Sequence, residues 1–136
     1  MAETLELEIV TPDKKVVSDQ AEEVQIPGKN GYLGILPGHA PLITELSVGE
    51  ITYRRAGGTE HLSVAWGFAE VLPDKVTVLA ESAERAEEID VKRAEEQRKR
   101  AEERLKSGDP NTDFPRALNA LQRAETRLAV ASRRHS

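Results

Sequence analysis

Apolar and polar residues alternate strictly near the start of the chain, where Leu5, Leu7 and Ile9 are separated by Glu6 and Glu8. A period of two puts apolar side chains on one face of a strand and carboxylates on the other. The pattern returns with Val24 and Ile26 against Glu23 and Gln25, with Ile51 and Tyr53, and with Leu62 and Val64. Phe68 to Leu72 and Val76 to Leu79 read as two further short strands. Turn signals separate these runs: Thr11-Pro12-Asp13-Lys14, Pro27-Gly28-Lys29-Asn30-Gly31, Ala56-Gly57-Gly58-Thr59 and Pro73-Asp74-Lys75. Many short strands with frequent turns predict a β-sandwich or barrel over residues 1–85. The stretch from Gly31 to Leu42 breaks the alternation, with three glycines and two prolines among apolar residues. It predicts a rigid, partly apolar loop, open from the residues alone to two uses: a contact surface or a tight connection between sheets.

The period changes after Ser82. From there to Ser136 no β-like run remains, and Glu, Arg, Lys, Ala and Leu dominate, all good helix formers. Asp90 is a natural N-cap for a helix running to about Lys106. Lys106-Ser107-Gly108 marks its end, and Asp109-Pro110-Asn111 breaks the chain. A second helix begins near Thr112 or Asp113, with Pro115 in its first turn, and runs to about Arg133. So short a break predicts an antiparallel two-helix hairpin over residues 86–136. Its expected seam is Val91, Ala94, Ala101 and Leu105 against Phe114, Ala117, Leu118, Leu121, Ala124, Leu128 and Ala131. Alanine buries little area, so docking between the helices is expected to be weak, while pairs such as Glu96 with Arg100 support each helix singly. The pattern describes a movable arm.

Charge adds an asymmetry. The net charge of −5 divides into −9 over residues 1–88 and +4 over residues 89–136. A basic end on an acidic protein suggests an acidic partner surface or a polyanionic ligand, or simply a solvated helix pair rich in arginine. There is no cysteine, so disulfides and thiolate metal sites are excluded. No run approaches the ~20 apolar residues that span a bilayer, and the first residues lack the features of a signal peptide. The chain reads as cytoplasmic, and peripheral where it meets a membrane.

Catalytic chemistry finds no foothold. His39, His61 and His135 share no motif spacing, and neither a phosphate loop nor a zinc motif is present. The basic third carries few aromatics and many interleaved acids, which disfavours nucleic acid. Arginine spacing is more informative. Arg93 and Arg100 are seven apart, and Arg123 and Arg127 four apart, so each pair lies on one helix face. A closed hairpin would converge four guanidinium forks suited to phosphate oxygens, with Glu84 or Asp90 as a neighbouring carboxylate. Surface arginines in water are the simpler reading of the same spacing.

The order of these segments resembles the epsilon subunits of bacterial F-type ATP synthases along essentially the whole chain. The resemblance rests on Leu7-Glu8-Ile9-Val10-Thr11-Pro12-Asp13, on Gly34-Ile35-Leu36-Pro37-Gly38-His39-Ala40-Pro41-Leu42, and on Gly67-Phe68-Ala69-Glu70-Val71 followed by Lys75-Val76-Thr77-Val78-Leu79-Ala80. It implies a β-sandwich of about ten short strands followed by the hairpin, in an accessory subunit without catalytic cofactors. It implies contact of the sandwich with a gamma subunit, and of the loop holding Tyr32 and His39 with the ring of c subunits. The hairpin would extend into the alpha/beta hexamer, meet an acidic segment of a beta subunit and block ATP hydrolysis. The protein would sit on the cytoplasmic face of the cell membrane, held there through the complex. Some members bind ATP in the folded hairpin through Ile/Leu-Asp-x-x-Arg-Ala, which stands here as Ile89-Asp90-Val91-Lys92-Arg93-Ala94. The resemblance thus implies a regulatory ATP site at Glu84, Asp90, Arg93, Ala94, Arg100, Arg123 and Arg127, and leaves the magnesium requirement open. Pro115 departs from many relatives at the start of the second helix. Two other readings stay open: a structural subunit whose ATP motif is silent, and a free-standing nucleotide sensor.

Overall fold

The computed structural model describes residues 3–134. The chain divides into two compact units between Arg85 and Ala86. The first is a β-sandwich of β1 (Leu5–Val10), β2 (Lys15–Ala21), β3 (Glu23–Gly28), β4 (Gly31–Ile35), β5 (Leu42–Leu46), β6 (Gly49–Arg55), β7 (Gly58–Val71) and β8 (Lys75–Arg85). β1 runs antiparallel to β2 and parallel to β8. One layer is β2-β1-β8-β7-β5, and the other joins β4, β3 and β6 to β7. The strictly alternating runs behave as their period requires: Leu5, Leu7, Ile9, Ile51, Tyr53, Leu62 and Val64 are all buried between the layers.

β7 belongs to both layers. It pairs with β6 over Gly58–Val64 and with β5 over Gly67–Val71. The partner changes at a bend where φ is +47° at Trp66 and +135° at Gly67. β8 follows through the same bend, with Val76–Ala80 opposite Gly67–Val71 and Ser82–Arg85 opposite Leu62–Ala65. The runs at 62–64 and 68–72 are therefore one bent strand, and eight continuous strands replace the ten short ones expected. Two strands escaped the sequence pattern. β2 buries only Val17 and Ala21, and β5 buries only Leu46. The segment expected as a loop from Gly31 begins instead as β4, hydrogen-bonded to β3 through Ile35, and only residues 36–41 turn.

The second unit opens with a single 3-10 turn, Ala86–Glu88, followed by α1 (Val91–Lys106) and α2 (Phe114–Ala131). Both helices start on an aspartate. Asp90 accepts the Arg93 N–H and Asp113 the Arg116 N–H, each at 3.1 Å. Each satisfies one of the donors that a helix start leaves free. Pro115 sits in the first turn of α2, where its missing N–H removes no helical bond, so this departure leaves the helix intact. Gly108 stands just past α1 at φ +68°, the left-handed shape that ends a helix.

The seam is narrower than the sequence suggested. Fully buried are Ala94 and Ala101 on α1, and Ala117 and Ala124 on α2, spaced by seven within each helix. Leu105, Leu121 and Leu128 are only half-buried. Phe114 and Leu118 belong outside it, at 50% and 49% exposed. They lie four residues apart on the flank of the alanine seam, where they stay in solvent. The base of the hairpin is better filled: Ala86, Ile89, Val130 and Ala131 form a buried cluster with Val91 against it. Arg134 closes that cluster by donating to the carbonyls of Ala86 and Ile89.

Gly67 cannot be replaced without moving backbone, because an added Cβ would lie 1.9 Å from the Leu79 carbonyl oxygen. Gly67→Ala is expected to cost at least about 3 kcal/mol in urea unfolding, from strain at positive φ together with overpacking. Arg134→Ala leaves two carbonyls at the hairpin base without their donor. It is expected to lower hydrogen-exchange protection of α1 and α2 about thirtyfold, the equivalent of roughly 2 kcal/mol for hydrogen bonds from a charged donor.

Candidate functional site

Asp90 and the first three turns of α1 shape an open cleft of about 440 Å³ lined by Asp90, Lys92, Arg93, Glu96, Gln97 and Arg100. Three of the seven residues implied as an ATP site, Asp90, Arg93 and Arg100, meet there. The seven-residue spacing of the two arginines accounts for their common face. Lys92 adds a third cation, against the carboxylates of Asp90 and Glu96.

The remaining residues have varied places. Arg127 reaches across from α2 and donates from Nη1 to Oε1 of Gln97 at 2.7 Å. Arg123 lies one turn nearer the loop on α2 and does not line the cleft. Glu84 lies on β8 in the sandwich unit, paired in register with Ser63. Ala94 is fully buried in the helix seam. Its methyl group serves helix approach, so any ligand would meet its backbone and not its side chain.

The Ile-Asp-x-x-Arg-Ala motif thus has a structural reading at three of its four defined positions. Ile89 fills the hairpin base, Asp90 caps α1, and Ala94 spaces the helices. Asp90 also lines the cleft, and Arg93 is the one motif residue there with no part in capping or packing. Sequence reasoning missed Lys92, Glu96 and Gln97. Glu96 and Gln97 follow from the helix period once Arg93 and Arg100 define the face, and Lys92 lies one turn before Glu96.

The loop residues also have structural partners. Tyr32, on β4, is 55% exposed, and its hydroxyl accepts the Glu50 N–H at 3.1 Å. His39 follows a turn closed by its own N–H to the Leu36 carbonyl, and its Nδ1 lies 2.7 Å from the Ala40 carbonyl oxygen, to which it donates. Gly38 ties the turn to the β7–β8 loop through the Pro73 carbonyl. Leu36 and Leu42 stand exposed on either side. His135 lies outside the described residues.

A second surface was not anticipated. Phe68 and Leu79 face each other in register on the outer side of β7 and β8, at 53% and 57% exposed. Ile43 on the neighbouring β5 is 71% exposed, and Val10 pairs with Leu79 from the other side. Four adjacent strands therefore carry an apolar stripe outward. Alternation held the signal: if Ala69 and Val71 point inward, Phe68 points outward with Glu70. Glu8 closes one margin, held by Lys75 and Lys15 at 3.4 and 3.7 Å. Among the described residues, no acidic, histidine or cysteine cluster could hold a metal ion, and no helix is long and apolar enough to cross a membrane.

Comparison with known proteins places these features in context. Residues 4–86 match the family described as ATP synthase, Delta/Epsilon chain, beta-sandwich domain, and residues 87–132 match its long alpha-helix domain. An ATP synthase epsilon chain of Koribacter versatilis is 73% identical over 110 residues, covering 81% of this chain and 78% of that one. The epsilon chain of Solibacter usitatus is 48% identical and covers 98% of this chain and all of its own length. A chain in the cryo-EM structure of the Euglena gracilis mitochondrial ATP synthase shares the fold, with a TM-score of 0.80 at 22% identity over 93% of this chain and 80% of that one. With both units matched and identity this high, the protein belongs to the epsilon chains of ATP synthase, accessory and not catalytic chains of that complex.

Proposed function

We propose that this chain is a central-stalk subunit that couples rotation to ATP synthesis and carries an ATP-gated brake on hydrolysis. The observation that carries the gating is the meeting of Asp90, Arg93 and Arg100 in one cleft on a hairpin whose seam is alanine. The residues fit a nucleoside triphosphate. Guanidinium and ammonium groups suit phosphate oxygens, and Asp90 lies beside them as a carboxylate. ATP supplies negative charge that neutralises neighbouring arginines. The chain's own residues do the rest: they hold the two helices together while the ligand is present.

Linkage sets the scale. A ligand bound only by the folded hairpin stabilises it by about 2.7 kcal/mol at 100 times its dissociation constant. A seam of four alanines is weak enough for that amount to decide the state. High ATP then keeps the arm folded. Low ATP releases it along gamma into the alpha/beta hexamer, where residues 89–136, with a net charge of +4, meet the acidic segment of a beta subunit and Phe114 and Leu118 offer apolar surface.

The sandwich supplies attachment. Ile43, Phe68 and Leu79 form an outward apolar stripe suited to a protein partner, which we assign to gamma. The loop of Tyr32 and His39, with Leu36 exposed beside them, is assigned to the c-ring. The complex as a whole holds the subunit at the cytoplasmic face of the membrane.

Calorimetric titration of the isolated protein is expected to show one ATP site with a preference over ADP, and Arg93→Ala to weaken it about 10- to 100-fold, as for loss of hydrogen bonds to a charged group. No binding at several millimolar ATP would retire the gate and leave the family assignment intact. Phe68→Asp puts a charge into the proposed gamma contact and is expected to weaken association with gamma at least about thirtyfold, as for loss of an interface hot spot. Unchanged association would move the contact to another face.

A further inference from the structure

The turn that joins β3 to β4 consists of Lys29 and Asn30, between the paired Gly28 and Gly31. Its two residues are held unequally. The Lys29 N–H donates to the Glu45 carbonyl at 2.9 Å, and the Lys29 ammonium pairs with the Glu45 carboxylate at 3.0 Å. Asn30 is exposed, and among the described residues no group holds its side-chain amide. Gly31 follows at φ +132°, a shape that side chains resist, and the direction in which a Cβ would project is open space.

Such a pair is reactive by itself. The nitrogen after an asparagine can close a five-membered ring on the side-chain carbon Cγ, and a glycine leaves that approach uncrowded. The Gly31 nitrogen forms a bond to Cγ of Asn30, the Cγ–Nδ2 bond breaks, and Nδ2 leaves as ammonia with the proton that the Gly31 nitrogen gives up. Water then opens the cyclic imide. Opening at Cγ yields aspartate. Opening at the main-chain carbonyl yields isoaspartate, whose backbone runs through Cβ and is one atom longer. The sum is an amide and water giving an acid and ammonia. Gly31 stands in the last rung of the β3–β4 ladder, beside an exposed turn, where pairing opens most readily.

The chain's two other asparagines, Asn111 and Asn119, lack this freedom. After Asn111, the Thr112 N–H donates to the Asp109 carbonyl at 3.1 Å, and the branched Thr112 side chain crowds its nitrogen. Asn119 lies inside α2, where the Ala120 N–H belongs to the helix ladder.

We propose that Asn30 is a site of spontaneous modification, at which the amide becomes aspartate and isoaspartate and the turn gains a negative charge. The new carboxylate arises beside the Lys29–Glu45 pair. The lengthened backbone bears on the start of β4, where the Tyr32 hydroxyl accepts the Glu50 N–H.

The test keeps the free full chain folded at mildly alkaline pH, beside a sample unfolded in urea. A glutamate-specific protease, used at mildly acidic pH to suspend the reaction, releases Asn30 within the peptide 24–45 for mass spectrometry. An isoaspartate-specific methyltransferase counts the lengthened product. In the folded chain, acid is expected at position 30 before position 111, and at least about tenfold faster than at position 119, where α2 must first open. Asn30→Gln would need a six-membered ring, so acid at position 30 is expected to disappear over the same period, with circular dichroism unchanged. A folded chain that keeps its Asn30 amide while the urea sample loses it shows that the turn withholds the Gly31 nitrogen, and overturns the proposal. Equal rates at the three asparagines overturn it too. Aspartate without isoaspartate rules out the cyclic route, and the proposal with it.

Discussion

Two helices approach closely only where neither carries a bulky side chain, and the behaviour of this hairpin depends on that constraint. Ala94 and Ala101 meet Ala117 and Ala124 in a seam of methyl groups. Close approach brings the backbones together, but each methyl removes little area from water, and the favourable free energy scales with area. The larger apolar side chains gather at the base, where Ile89 and Val130 pack under the Arg134 hydrogen bonds. The hairpin is thus firm at one end and lightly held along its length.

The cleft depends on the same arrangement. Asp90 begins α1, and beginning the helix there sets the rotation that turns Lys92, Arg93, Glu96, Gln97 and Arg100 to one side. Ala94 lets α2 come near enough for Arg127 to reach Gln97. One short motif therefore holds residues that build the site and a residue that faces it. Replacing Asp90 disturbs the cap as well as the charge, whereas Arg93 has no comparable part in the fold. It is the cleaner probe of the proposed ligand site.

In the sandwich, a single bend has the corresponding importance. Trp66 and Gly67 turn β7 from one layer into the other, and β8 follows. The bend lets two long strands join both layers, and it places Phe68 and Leu79 on the outer surface directly after it. At Gly67 the Leu79 carbonyl leaves no room for a side chain. The outward apolar stripe and the tight packing of the bend come from the same few residues.

Local chemistry was legible from the sequence. Strict alternation gave β1 and β6, because one buried and one wet face impose a period of two. The aspartate caps, the Gly108 stop and the first-turn place of Pro115 were equally readable, since each depends on backbone groups within a few residues. The face shared by Arg93 and Arg100 follows from helical geometry alone. Contacts distant along the chain were decided only in the folded structure. β2 and β5 are strands because neighbours pair with them, although their own residues bury little. The runs at 62–64 and 68–72 become one strand because Gly67 can pass beneath a carbonyl twelve residues away. Phe114 and Leu118 face outward because the alanines, not the larger side chains, set the approach of the helices. The bond from Arg127 to Gln97 spans thirty residues, and no local period records it.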